Sequence, residues 1–263
     1  MELSGRQVLL TGATGGLGQA IARRLHGAGA RLILTGRRTD VLEPLAREVG
    51  ARSLAVDLSQ RSAVQKLITE GAEVDILIAN AALPASGPLD SFSVPEIDRA
   101  LEVNLRAPII LAQGLAERMR SRGEGHLLFM SSLAGKAATS NTSLYNATKF
   151  GLRGFALALR AELANHGVGV SLVYPGFIRD AGMFADSGAE LPKGVGTKTP
   201  EEVADGVVRA IEGNRAEVDV APIALRAGAV FGGLAPEVAA RLSRRMGSEK
   251  LGSDIEAGQR DKR

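Results

Sequence analysis

Cysteine and tryptophan are absent from this 263-residue chain, and aromatic residues amount to only 3%. Without a thiol there is no disulfide, no thiolate metal site and no cysteine nucleophile. With so few rings, a stacking platform for nucleic-acid bases is not expected. Three histidines are present, His26, His126 and His166, on separate segments without metal-ligand spacing. They read as surface or structural residues, and no metal site is anticipated. Long hydrophobic runs are missing too. The first residues, MELSGRQVLLTG, contain no apolar stretch of signal-peptide length. Residues 221–236 are broken by Arg226 and by several glycines and prolines, and fall short of the roughly 20 apolar residues a membrane span requires. These absences lead to the expectation of a soluble, cytoplasmic protein with no nucleic-acid partner.

What is present is an ordinary globular composition, 45% apolar and 23% charged, which excludes a disordered chain. The net charge of +3 is unevenly spread. Residues 241–263 carry seven basic and four acidic side chains, which supplies the whole excess. The stretch reads as a flexible basic tail. As an alternative, residues 241–245 with Leu242 and Met246 would form a basic amphipathic helix lying on a membrane surface.

Short apolar runs at 8–11, 32–35, 53–56, 74–79, 126–130, 168–174 and 217–220 alternate with helical spacing at 17–26, 41–49, 63–68, 104–120 and 145–166. Several runs are continuous, as parallel strands buried on both faces require. Alternating strands and helices imply an α/β fold, a doubly wound parallel sheet. No linker divides the chain, so residues 1–263 read as a single domain. The long Gly/Pro-containing connection at 176–200 exceeds ordinary loop length and is expected to be a substrate lid.

After the first strand comes Thr11-Gly-Ala-Thr-Gly-Gly-Leu-Gly18, opening a helix. Glycine lets backbone amides approach a ligand, and the helix N-terminus favours an anion, so a pyrophosphate is the natural guest. A flexible turn without a ligand is the plain alternative. The second strand ends in Gly36-Arg37-Arg38, where an acidic residue would receive ribose hydroxyls and an arginine would accommodate a 2′-phosphate. Paired guanidinium bonds to phosphate favour NADP(H), with NAD(H) as the lesser possibility. Asp57 either accepts a bond from the adenine amine or caps the next helix.

Tyr145 and Lys149 are four residues apart, on one helix face. A cation near a phenol lowers its pKa toward operating pH, suiting it to proton transfer with a carbonyl or alcohol. Ser132 follows an apolar run, where a hydroxyl at the carboxyl end of a parallel strand faces the ligand crevice. Asn104 either caps a helix or holds a relay water.

Together, TGATGGLG at 11–18, Asp57, Asn104, Ser132, YNATK at 145–149 and Pro175-Gly176 resemble the short-chain dehydrogenase/reductase family, over about residues 5–215. The resemblance implies a Rossmann-type sheet of seven strands and an oxidoreductase interconverting a carbonyl and an alcohol. It implies Tyr145 as general acid/base, Ser132 as the hydrogen bond to the substrate oxygen, and Asn104 as keeper of a relay water. Lys149 would lower the tyrosine pKa and hold the nicotinamide ribose. The cofactor would meet Gly12, Thr14, Gly16, Leu17, Gly18, Arg37, Arg38, Asp57, Leu58, Asn80, Tyr145, Lys149, Pro175, Gly176 and Ile178. A homo-oligomer, dimer or tetramer, through the long helices flanking Ser132 is also implied.

Four positions depart from the family pattern. Ala79-Asn-Ala-Ala82 replaces the family's Asn-Asn-Ala-Gly, Gly15 stands where NADP-preferring relatives carry a basic residue, and Asp180 replaces a hydroxyl residue. Residues 221–263 replace a short tail. Phe177, Ile178, Met183, Phe184 and Leu191 suggest an apolar wall for the small-molecule substrate. Two further readings compete: a dinucleotide-binding sensor without turnover, and a lipid-directed member of the family that meets membranes through its C-terminal segment.

Overall fold

Seven strands form one parallel sheet: β1 (Gln7–Leu10), β2 (Arg31–Gly36), β3 (Arg52–Ala55), β4 (Ile76–Ala79), β5 (Gly125–Met130), β6 (Val168–Pro175) and β7 (Glu217–Val220). Their order is β3-β2-β1-β4-β5-β6-β7, with every neighbouring pair parallel. The structure is a computed structural model and describes residues 1–191, 194–245 and 248–259, with backbone only at 242–245 and 248–252. Pro192 and Lys193 of the expected lid, Met246, and residues 260–263 of the expected tail lie outside the described residues.

The seven apolar runs read from the sequence all become strands, and the doubly wound sheet is the one anticipated. Helices α1 (Gly16–Gly27), α2 (Thr39–Glu48), α3 (Arg61–Glu70), α4 (Val94–Leu101), α5 (Ala107–Arg122) and α6 (Ser143–Leu163) follow the first five strands, with α4 and α5 both after β4, while α7 (Gly182–Ser187) and α8 (Pro200–Glu212) follow β6. Strand side chains alternate between faces, so each strand feeds two cores. Val8, Leu10, Leu128 and Met130 pack with α1 residues such as Ile21 and Leu25 and α8 residues such as Val203 and Val207. Leu9, Leu127 and Phe129 pack on the other face with residues of α3, α5 and α6. There Phe129 meets Phe155 edge to face at 5.7 Å between ring centroids. Burial on both faces is why these strands are continuously apolar rather than alternating.

Beyond β7 come α9 (Ile223–Leu234), α10 (Pro236–Arg245) and α11 (Ser248–Ala257). The start of α8 is a full capping box: Thr199 accepts from the Glu202 amide while Glu202 accepts from the Thr199 amide. A similar signal, Ser93 and Glu96 around Pro95, marks α4, which the apolar periodicity does not reveal because the helix is only eight residues long. The C-terminal stretch departs from a free tail: its described part includes α11, which packs on α7, and Gln259 is buried.

His126 is structural, as anticipated, but deep inside rather than at the surface. Its Nε2 lies 2.9 Å from the Ser171 hydroxyl, and burial, helped by the nearby positive charges of the N-terminus and Arg160, pushes its pKa down to about 3. The folded protein therefore refuses a proton that the unfolded chain accepts near pH 6.5. Stability contributed by this neutral imidazole is present above pH 6.5 and lost progressively as pH falls toward about 3. Thermal unfolding followed across that window is expected to show a falling midpoint, with a shallower fall in His126→Gln.

Candidate active site

The strand order reverses direction between β1 and β4, and a crevice opens at their carboxyl ends, as it does in doubly wound sheets generally. A cavity of about 480 Å³ occupies it, lined by Gly12, Thr14, Gly16, Leu17, Gly18, Arg37, Arg38, Asp57, Leu58 and Asn80 among others. These are the ten residues expected to meet the adenosine and pyrophosphate half of a dinucleotide. Gly12 has φ +67°, and a Cβ there would lie 2.7 Å from the Ala81 Cα, so the turn tolerates only glycine. Asn80 donates from Nδ2 to the carbonyls of Thr11 and Gly12 at 3.0 and 3.1 Å. Its neighbour Thr11 accepts from the amides of Asn80 and Ala81. The single retained asparagine of the altered Ala79–Ala82 motif thus ties β4 to the glycine turn.

At the end of β2 the absence of an acidic residue has a steric cause. A Cβ on Gly36 would come within 2.5 Å of the Thr14 methyl, so Thr14 fills the space a longer side chain would take. The two arginines that follow differ. Arg38 donates to the Thr14 carbonyl, bracing the glycine loop. Arg37 is exposed and lines the cavity. Asp57 accepts from the Ser59 amide at 3.0 Å in a local turn and lines the cavity; the capping alternative does not hold, since α3 begins after Gln60 with no side-chain cap. Burial pushes its carboxyl up, but hydrogen bonds from Ser59 and the charge of Arg37 outweigh this and leave it below the ordinary range.

Ser132, Tyr145 and Lys149 are brought together just outside that lining, at the end of β5 and the first turns of α6. Ser132 follows the strand in extended conformation and its Oγ accepts from the Ala134 amide at 3.2 Å. Tyr145 keeps some exposure, yet the protein packed around it pushes the phenol up to about 12, with the Ser132 hydroxyl acting in the opposite sense. Lys149 is buried, and burial pulls its ammonium down to about 8. Its Nζ donates to the Met130 carbonyl at 2.9 Å and lies 5.6 Å from the Tyr145 ring centroid. Desolvation dominates both groups and draws each toward its neutral form, which runs against the expectation that Lys149 lowers the tyrosine pKa.

Asn104 neither caps a helix nor presents a free amide. It sits in a π-helical turn, Glu102–Arg106, that joins α4 to α5. Its Oδ1 accepts from the Leu83 amide at 2.6 Å and its Nδ2 donates to the Leu83 carbonyl at 2.9 Å. The side chain holds the segment after β4 against the site; such π-turns recur at functional positions. Pro175 ends β6 and Gly176 follows it, and Ile178 pairs with Lys198 in an isolated bridge, closing the base of the long connection. None of these three lines the cavity. Within the connection Phe177 and Phe184 stack at 5.0 Å between centroids, the start of the apolar wall.

Two contributors went unread in the sequence. Asn146, beside the tyrosine, is buried and donates to the carbonyls of Ala134 and Ala137. It fixes the loop after Ser132 onto α6, and so sets the serine against the tyrosine. An asparagine one turn inside a helix, where its propensity is poor, was the available signal. Gln259, from the far end of the chain, lines the cavity with the glycine loop; nothing local marks it. Among the described residues no group of three or more histidines and carboxylates could hold a metal, and no helix is long and apolar enough to cross a membrane.

Replacing Asn80 with alanine leaves the inward carbonyls of Thr11 and Gly12 without their donor, at a cost of about 1–3 kcal/mol. Chemical denaturation of Asn80→Ala is expected to show a lower midpoint with an unchanged slope.

The site's residues and their order agree with comparisons to known proteins. The profile of the short chain dehydrogenase family matches residues 6–191. Ketoacyl reductase HetN of Nostoc sp. is 35% identical over 227 residues, covering 83% of this chain and 79% of its own. Nodulation protein G of Rhizobium sp. is 39% identical over 186 residues, covering 68% and 76%. Among solved structures, a short-chain dehydrogenase from Sphingobium yanoikuyae in complex with NADPH superposes with a TM-score of 0.78 at 25% identity, covering 89% of this chain and 95% of that one. A metagenomic short-chain oxidoreductase in complex with NADP gives 0.70 at 34% identity, covering 84% and 99%. Fold, site order and relatives converge, and the chain belongs to the short-chain dehydrogenase/reductase family of oxidoreductases.

Proposed function

We propose that this protein is an NADP(H)-dependent reductase of an apolar ketone or aldehyde, with Tyr145 as the proton donor. The observation that carries the reading is the Ser132–Tyr145–Lys149 group, in which a serine hydroxyl acts on a neutral phenol whose ring centroid lies 5.6 Å from a buried ammonium. A phenol held near 12 is a proton donor at neutral pH, which suits the reductive direction.

The crevice residues fit a phosphorylated dinucleotide. Gly36 and Thr14 leave no room for an acid against the ribose, and Arg37 offers a guanidinium at the cavity wall. Gly12 to Gly18 and the N-terminus of α1 would hold the pyrophosphate, and Asp57 and Leu58 the adenine side. When bound, this cofactor supplies the hydride. The chain's own groups do the rest. Ser132 holds the substrate oxygen, Tyr145 passes its proton to that oxygen, and Lys149 stabilises the phenolate left behind. Asn104 and Asn146 keep the surrounding loops in place. Phe177, Met183 and Phe184 give the connection an apolar side, consistent with a hydrophobic carbonyl compound. Outward-facing Phe150 and Leu157 on α6 suit the dimer or tetramer that the family implies.

A second reading has one observation in its favour. The helix α9 exposes Ile223 and Leu234, each 81% accessible, beside Val230 and Phe231. That apolar face would serve a lipid-directed enzyme at a membrane surface. Co-sedimentation with anionic liposomes, abolished by Ile223→Asp with Leu234→Asp, would favour it; an unbound wild-type protein would dismiss it.

The primary test is titration with NADPH and NADH. Tighter NADPH binding is expected, with the preference shrinking in Arg37→Ala; equal affinities would refute the 2′-phosphate role. In a carbonyl panel with NADPH, Tyr145→Phe is expected to lose about a hundredfold or more in kcat. If that variant left the protein's measurable activity intact, a sensor without turnover would be the better reading. Because kcat/KM reports groups of the free enzyme, reduction is expected to decline as pH rises through about 8, where Lys149 loses its charge.

A further inference from the structure

The last described residues of the chain return to the glycine-rich loop made by its first turn. Gln259 is only 3% exposed, yet it lines the same cavity as Gly12, Gly16 and Arg37. Its Nε2 donates to the carbonyl of Met183 at 2.6 Å, in the first turn of α7. The residue before it, Gly258, lies flat on the end of that helix: a Cβ there would come within 2.1 Å of the Ser187 carbonyl oxygen. On its other side α7 bears on the glycine loop, where a Cβ on Gly16 would meet that of Ala181 at 2.4 Å. Three segments distant in sequence are thus stacked: the glycine loop, α7, and the chain end following α11.

We propose that this chain end is part of the dinucleotide site, with Gln259 as a positioning residue that holds α7 over the crevice and presents its amide to the bound cofactor. The inference rests on the crevice being the NADP(H) site proposed above. Burying a carboxamide is costly unless its polar atoms are used. Met183 takes one N–H of the amide, and the side chain has a second N–H and a carbonyl of the kind that meets phosphate oxygens or ribose hydroxyls. A residue needed only to pack against α7 would be served better by leucine or methionine. Gly258 adds the second requirement, since any side chain there would lift the segment off Ser187 and withdraw Gln259 from the cavity wall.

The consequence is a slow exit for the cofactor. NADPH release is measured by stopped-flow fluorescence in the full-length protein, in Gln259→Met, which keeps volume without the amide, and in Gly258→Val, which blocks the close approach. Both variants are expected to release NADPH about tenfold faster, as loss of one to two hydrogen bonds implies. KM for NADPH is expected to rise in both variants. Hydrogen exchange is expected to show that NADPH protects residues 182–187 and 248–259 together in the intact protein. Wild-type release rates in both variants would overturn the proposal while leaving the dinucleotide site standing. Failure of the intact protein to bind any dinucleotide would overturn the functional reading first, and this inference with it.

Discussion

The tie between β1 and β4 is the constraint on which the rest of the site depends. These strands are neighbours in the sheet but far apart in sequence, and their crossovers leave in opposite directions, so a crevice must open at their carboxyl ends. Asn80 closes its floor by donating to Thr11 and Gly12, and Thr11 returns the favour through its hydroxyl. With that floor set, Gly12 can turn at positive φ, α1 can start at Gly16, and Arg38 can reach back to the Thr14 carbonyl. The altered motif Ala79–Ala82 keeps the one side chain this geometry uses.

A second set of contacts builds the proton-transfer end, and there burial rather than pairing governs the chemistry. Lys149 and Tyr145 are both drawn toward their neutral forms by the protein around them. The lysine spends a hydrogen bond on the Met130 carbonyl and lies 5.6 Å from the centroid of the tyrosine ring. The supporting asparagines work on loops: Asn104 on Leu83, Asn146 on the turn after Ser132. A buried ionic group adds to this frame, with Lys136 of that same turn bonded to Asp219 of β7 and lying 4.0 Å over the Tyr174 ring. The protein's second tyrosine is thereby a structural residue, bonded to Glu217.

Much of this was legible before any coordinates. Continuous apolar runs such as 126–130 announce strands covered on both faces, because helices must lie above and below them. Glycines at 12, 16 and 18 announce a turn that opens a helix, and all three line the crevice. The YNATK spacing announces a shared helix face. Less legible was the difference between Arg37 and Arg38, adjacent and identical in type, of which only one is spent on the backbone. The π-turn that carries Asn104 was hidden as well, since its residues continue the helical pattern on both sides.

By itself the sequence determined the sheet, the order of its strands' helices and the family, because periodicity and motif spacing are local properties. Tertiary structure decided everything that depends on segments meeting. It decided that a side chain on Gly36 would meet Thr14, and that Tyr145 is neutral because protein replaces water around it. It also decided that the C-terminal stretch, basic and solvent-seeking in composition, brings Gln259 back to the glycine loop. Charge counts describe a segment's preference for water; only the close approach of Gly258 to Ser187 reveals that this segment has a surface to lie on.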